Sequence, residues 1–238
     1  MKNLLEVKNL KVVYGKAVAV EDVNLSVPEG RIVTLIGANG AGKSTTLNAI
    51  AGLVPIAGGS VAFQGRDITS MKTQDIVKSG FVLVPEGRRL FPYLSVYKNL
   101  LLGTSRRSDK DGIAEDFEYV FNLFPKLKDR LKQKAGTLSG GEQQMVALAR
   151  GIMAAPTLIC LDEPSLGLAP VVIEQLGAAI KDMNERKGLS ILLVEQNVHL
   201  AFGVADYCYT LQVGRLVAEG TIDEIIKNET VRAAYFGE

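Results

Sequence analysis

Apolar positions in the first 35 residues fall in short alternating patches. Val7, Leu10, Val12, Val18, Val20, Val23, Leu25 and Val27 recur among polar neighbours, with breaks at Gly15 and at Pro28-Glu29-Gly30. Alternation of period two predicts half-buried β-structure. Ile32-Val33-Thr34-Leu35-Ile36 is instead a continuous apolar run, as a strand covered on both faces requires. A helix is predicted from about Lys43, with Leu47, Ile50 and Ala51 on one face and Gly52 near its stop. Ser60 to Phe63 and Phe81 to Val84 read as two further strands, the second buried.

From about Gly87 to Ala155 the pattern turns helical. Leu100, Leu101 and Leu102 end before Gly103, and Phe117, Val120, Phe121 and Phe124 recur at helical spacing. The polar run from Ser105 to Gly112 predicts an exposed loop between them. Strand–helix alternation returns after Pro156. Leu158 to Leu161 and Ile191 to Val194 read as buried strands, with a helix from Pro170 to Lys187 between them, ended by Gly188. Two short strands near Tyr207 to Leu211 and Leu216 to Ala218 precede short terminal helices. This order predicts an α/β fold with a mainly parallel core sheet and helices on both faces. Residues 1–238 read as a single domain, with an antiparallel β lobe at the N-terminus and the helical lobe, approximately 87–155, inserted in the core.

Composition narrows the partners. Lys plus Arg is 27 against 26 for Asp plus Glu, so the net charge of +1 offers no basic surface of the kind nucleic acid needs. Cys160 and Cys208 both lie in apolar stretches without metal-ligand spacing, which predicts buried reduced thiols. No secretory leader is evident, and no apolar run approaches the ~20 residues of a membrane span. Service to a membrane would therefore be as a soluble partner.

Three segments carry candidate chemistry. Gly37-Ala38-Asn39-Gly40-Ala41-Gly42-Lys43-Ser44 fits G-x-x-x-x-G-K-[ST] and sits between a buried strand and a helix. Glycines there let the backbone wrap an anion, and the amides and helix N-terminus direct positive charge at phosphate oxygens. Lys43 would reach the β- and γ-phosphates of ATP, and Ser44 would offer its hydroxyl to Mg²⁺. The second segment is Asp162-Glu163, directly after a buried strand. An acidic pair is commonly a solvated turn or helix cap. Beside a phosphate loop, Asp162 reads as a Mg²⁺ holder and Glu163 as the group that polarises water. The third is Leu138-Ser139-Gly140-Gly141-Glu142-Gln143-Gln144. Ser139 and Glu142 are spaced as a capping box. Two glycines in the first helical turn cost up to ~1 kcal/mol each relative to alanine, and bare amides there suggest a second anion site.

In order and spacing, these segments resemble the ATP-binding cassette (ABC) family over about residues 4 to 236. The resemblance implies a phosphate-loop NTPase fold and a head-to-tail dimer. Each ATP would lie between the phosphate loop of one subunit and the Leu138–Gln143 signature of the other. Nucleotide contacts would then come from Gly37 to Ser44, from Thr45, and from Ser139, Gly140, Gly141 and Glu142. Tyr14, followed by Gly15, matches the aromatic position that stacks on adenine; a strand-edge aromatic is the plainer alternative. Val84 to Pro92, Glu163 to Pro170 and Val194 to Asn197 are similar to the ATP-binding subunits of branched-chain amino-acid importers, of the LivF type.

Three positions depart from the wider family. Glu86 stands where a metal-contacting glutamine is usual, and would face Mg²⁺ directly or through water. Ala169 replaces an aspartate, and Gln196 replaces the switch histidine. Gln196 can donate to a γ-phosphate oxygen but cannot carry a proton as imidazole does. The sole histidine, His199, is expected to be structural or at the surface.

The resemblance thus implies catalytic roles for Lys43, Glu163 and Gln196, and metal contacts from Ser44, Glu86 and Asp162. Implied partners are transmembrane permease subunits docked on the helical lobe, a second ABC ATPase subunit and, indirectly, an extracytoplasmic solute-binding protein. The site of action would be the cytoplasmic face of the cell membrane. Repair and cohesion ATPases would carry a long coiled coil between phosphate loop and signature, but the 95 positions from Lys43 to Leu138 hold no sustained heptads. Translation-associated members would show two cassettes, and a phosphate-loop kinase or GTPase would lack the signature. ATPases for lipopolysaccharide export or for urea and amide import remain the nearest alternatives.

Overall fold

The computed structural model describes residues 2–229 and 231–232. The N-terminal patches form two long strands, β1 (Asn3–Tyr14) and β2 (Ala17–Pro28), rather than several short ones. The breaks at Gly15 and at Pro28-Glu29-Gly30 are the turns that end β1 and β2, and within the strands the register is irregular near Leu10, with left-handed backbone at Asn9 (φ 48°) and Asp22 (φ 56°). Asn and Asp tolerate that conformation, and here the Asn9 amide donates to Asp22 Oδ1 at 2.7 Å. The strands after them are β3 (Ile32–Ile36), β4 (Gly58–Phe63), β5 (Arg66–Asp67) and β6 (Phe81–Val84), with helices α1 (Lys43–Ile50) and α2 (Thr73–Lys78) between. Four helices follow: α3 (Val96–Gly103), α4 (Lys110–Leu123), α5 (Pro125–Asp129) and α6 (Gly140–Ile152). The chain then runs through β7 (Leu158–Asp162), α7 (Pro170–Lys187), β8 (Ser190–Glu195), α8 (Val198–Val204), β9 (Tyr207–Gln212), β10 (Arg215–Thr221) and α9 (Ile222–Lys227). Part of the terminal helical segment, beyond residue 229, lies outside the described residues apart from 231–232.

Two sheets result. One is antiparallel, in the order β2-β1-β4-β5; the other runs β10-β9-β3-β8-β7-β6. In the second, β9, β3, β8, β7 and β6 are mutually parallel and only β10 is antiparallel, at the edge. The parallel strands bury alternate residues on opposite faces. Leu192, Val194, Leu158 and Cys160 join the core shared with the antiparallel sheet and with Leu47 and Ile50 of α1. Ile191, Leu193, Ile159 and Leu161 pack under Val146, Leu148, Leu176 and Ile180 of α6 and α7. With both faces covered, these strands read as unbroken apolar runs. Both cysteines are buried and free.

The helical region begins later than its composition suggests. Gly87, Arg88 and Arg89 have φ of 75°, 66° and 43°, and successive left-handed residues cannot start an α-helix. The loop is braced by the buried Asn99, which accepts from Phe91 N and donates to the carbonyls of Phe91 and Ser95. Ser95 caps α3 by accepting from Lys98 N. Six-residue α2 and seven-residue α8 are too short to have shown a helical period. Helix α7 starts at Pro170 and stops at Gly188 (φ 65°), the asymmetry its sequence implies.

Candidate active site

The carboxyl ends of the parallel strands lie along one edge, where loops of an open α/β sheet gather ligands. β3 leads into the Gly37–Gly42 loop, β7 into Glu163, β8 into Gln196 and β6 into Glu86. The loop is glycine-rich for steric reasons. A Cβ on Gly37 would lie 2.6 Å from the Leu211 carbonyl oxygen. Gly42 caps α1 with φ 105°, and a Cβ there would be 2.9 Å from the Ala19 carbonyl oxygen. Gly214 N donates to the Ala41 carbonyl and ties the loop to the turn after β9.

Lys43 is 4% exposed. Its ammonium donates to the carbonyls of Gly37 (2.7 Å) and Ala38 (3.1 Å) and pairs with Glu163 at 2.9 Å. Ser44 Oγ donates to Asp162 Oδ1 at 2.9 Å. Asp162 is pushed up to about 6, first by burial and then by the nearby charges of Glu163 and Glu86, against the pull of Ser44 and Lys43. A buried carboxylate with two acidic neighbours and a hydroxyl beside it is an all-oxygen set short of positive charge, the chemistry that suits a hard divalent cation. Glu163 has a left-handed backbone (φ 45°), which costs a residue with a Cβ roughly 1–2 kcal/mol. Its amide donates to the Val194 carbonyl, which carries its side chain toward Lys43.

Other residues named from the sequence lie apart. Gly40, Gly42, Lys43, Ser44, Thr45 and Glu163 line one open cavity of about 250 Å³, with Val18, Ala19, Val213 and Gly214 completing it. Tyr14, half exposed at the end of β1, is not part of that lining. Ala38, Asn39, Glu86, Gln196 and His199 are exposed. Ser139, Gly141 and Glu142 line a different cavity, between α4, α6 and α7. The capping box is present: Ser139 Oγ accepts from Glu142 N, and Glu142 Oε2 accepts from Ser139 N. Both glycines also have packing reasons. A Cβ on Gly141 would be 2.9 Å from Val172, and one on Gly140 would be 3.2 Å from the Arg88 guanidinium. Their presence alone therefore no longer argues for an anion site. Sequence reasoning did not single out Arg88, Ser165 or Glu195; a carboxylate ending a buried strand was the available signal for Glu195.

A family model described as ABC transporter matches residues 20–166. The high-affinity branched-chain amino acid transport ATP-binding protein BraG of Pseudomonas aeruginosa is 44% identical over 98% of this chain and 100% of its own. The lipopolysaccharide export system ATP-binding protein LptB of Escherichia coli K12 is 34% identical over 98% of this chain and 97% of its own. Among solved structures, the ADP conformation of an ATP-binding cassette of an ABC transporter superposes with TM-score 0.85, at 28% identity and full coverage of both chains. A dimeric bacterial ABC transporter cassette superposes with TM-score 0.80, at 26% identity over 92% of this chain and 98% of that one. On the family match and on these relatives, the chain belongs to the ATP-binding cassette family of ABC transporters.

Proposed function

We propose that this chain, residues 1–238 as one ABC ATPase domain, hydrolyses ATP to energise a membrane importer of branched-chain amino acids. The observation that carries the hydrolytic reading is the cluster of buried Lys43 and Asp162 with half-buried Ser44 and Glu163 beyond the ends of β3 and β7. The likeness to BraG over the whole chain supports the solute class above lipopolysaccharide, since LptB is the more distant of the two relatives.

In this reading the amides from Gly37 to Thr45 cradle the phosphates and Tyr14 stacks on adenine. Ser44, Asp162 and Glu86 would hold Mg²⁺, which would supply neutralisation of phosphate charge. Lys43 exchanges the Gly37 and Ala38 carbonyls for phosphate oxygens, loosening its hold on Glu163. Glu163 then accepts a proton from the attacking water, and Gln196 donates to a γ-phosphate oxygen. Ser139, Gly140, Gly141 and Glu142 face the ATP of a second ATPase subunit in this reading, which is supported by the cavity that Ser139, Gly141 and Glu142 line apart from the phosphate loop. A homologous cassette that is dimeric supports that arrangement.

The permease would dock on the cleft of about 720 Å³ between β6, α3 and α6, whose rim carries Phe91 and Leu102, both exposed apolar side chains. In this reading the protein works on the cytoplasmic face of the membrane, with a solute-binding protein acting from the far side. No helix among the described residues is long and apolar enough to cross a membrane. The test is Mg-ATP turnover of Glu163→Gln. A fall of at least about 100-fold with ATP still bound supports the reading, and turnover equal to the parent's overturns it.

A further inference from the structure

Glu195 is a buried carboxylate outside the set assembled around Lys43. It ends β8 and is 1% exposed. Among the described residues none of the ion pairs includes it. It is satisfied by four donors instead. Ser165 N donates to Oε1 at 2.9 Å, while Ser165 Oγ (2.9 Å), Gln196 N (3.2 Å) and Asn197 N (3.1 Å) donate to Oε2. Burial raises the carboxyl, and the Ser165 and Asn197 donors oppose that. Four donors and no acceptor suit an ionised acceptor-only group.

The donors come from two segments. Ser165 lies two residues beyond Glu163, and Gln196 and Asn197 form the turn after β8. Glu163 N already donates to the Val194 carbonyl, so the two segments touch on both sides of Glu195. Asn197 continues the connection by accepting from Leu200 N at the start of α8. An isolated buried charge is costly unless its hydrogen bonds are complete, and here completing them requires both segments in one arrangement.

We propose that Glu195 is a positioning residue for ATP hydrolysis: its carboxylate joins the loop carrying Glu163 to the turn carrying Gln196, and so sets the two side chains that act at the γ-phosphate. This rests on the hydrolytic reading above. A glutamine at 195 is no equivalent. Its amide nitrogen must face a donor, and the arrangement that loses fewest bonds turns it toward Ser165 N. That keeps the Gln196 turn and the Ser165 hydroxyl bond but sets two N–H donors against each other at Ser165 N, which loosens the Glu163 loop.

The experiment is steady-state hydrolysis of Mg-ATP by the full chain. Glu195→Gln is expected to lower kcat about tenfold or more while KM for ATP stays within about threefold. Ser165→Ala, which removes one donor only, should lower kcat by roughly two- to fivefold. In a Glu163→Gln background each of these losses should shrink to under about twofold, because both act on the placement of the Glu163 side chain. Glu195→Gln within about twofold of the parent, or losses that multiply in full with Glu163→Gln, would overturn the proposal. Where Glu195→Gln does not fold, the same two criteria applied to Ser165→Ala decide the matter. Parent-level turnover of Glu163→Gln would remove the hydrolytic reading itself, whatever the Glu195 variants do.

Discussion

Asp162 carries a pH dependence that can be measured without nucleotide. Its folded value of about 6 lies above the ordinary aspartate value of 3.8, chiefly through burial. A carboxyl raised in the folded state contributes stability that is full below about 3.8 and lost as pH rises through about 6. Asp162→Asn removes the charge and keeps an oxygen for the Ser44 hydroxyl. In buffer free of metal and nucleotide, this variant should be more stable than the parent near pH 7.5, on the order of 1–2 kcal/mol after allowance for solvent screening. The difference should fade below about pH 4. Thermal melts at both pH values check it, and a variant less stable at each contradicts the electrostatic account. Gain of stability by removing a functional carboxylate is the usual trade at a site built for a cation. At this scale, legibility followed distance along the chain. Gly37 to Ser44 and Asp162-Glu163 are local strings, each adjacent to an apolar run. Glu195 meets Ser165 across 30 positions, and Arg88 lies against Gly140 through folding alone.

Among the elements, the clearest long-range tie is centred on Asp116 of α4. Arg107, in the segment after α3, donates to Asp116 and to the Met153 carbonyl just past α6. Lys187, at the end of α7, pairs with the other oxygen of Asp116 at 2.6 Å. Two helices and a connecting loop are thus pinned by one carboxylate in a residue that is 8% exposed, and Arg107 extends the tie to the end of α6. Asp116→Ala leaves Lys187 without its anion and Arg107 with the exposed Asp109 alone (2.6 Å), and should cost about 1–3 kcal/mol, the Asp109 pair and the partial exposure of Lys187 holding it below a fully buried pair. Urea unfolding reads the loss; a change under about 0.5 kcal/mol would show that solvent already screens the cluster. The polar run from Ser105 to Gly112 gave no sign of this. It was expected to be an exposed loop, and Arg107 reads like its neighbours until Asp116, Met153 and Lys187 surround it. The long strands and α6 and α7 were legible because their apolar periods extend over many residues. Helices α2 and α8 and the start of α3 were not, since six to eight residues hold too few turns to establish a period.

For the whole molecule, the arrangement of the two proposed nucleotide-contacting segments matters most. The phosphate loop and the Ser139 turn belong to different faces of one chain, each with its own cavity. The sequence suggested this division before any coordinates, because a single nucleotide could not obviously fill both. If the ATP site is completed by a second subunit, hydrolysis is a property of the pair. The most direct measurement is Mg-ATP turnover per chain as chain concentration is raised from nanomolar to high micromolar. The account predicts specific activity that climbs with concentration to a plateau, as dimers form around ATP. Specific activity that is constant across the whole range would contradict it, since one chain would then hold a complete site.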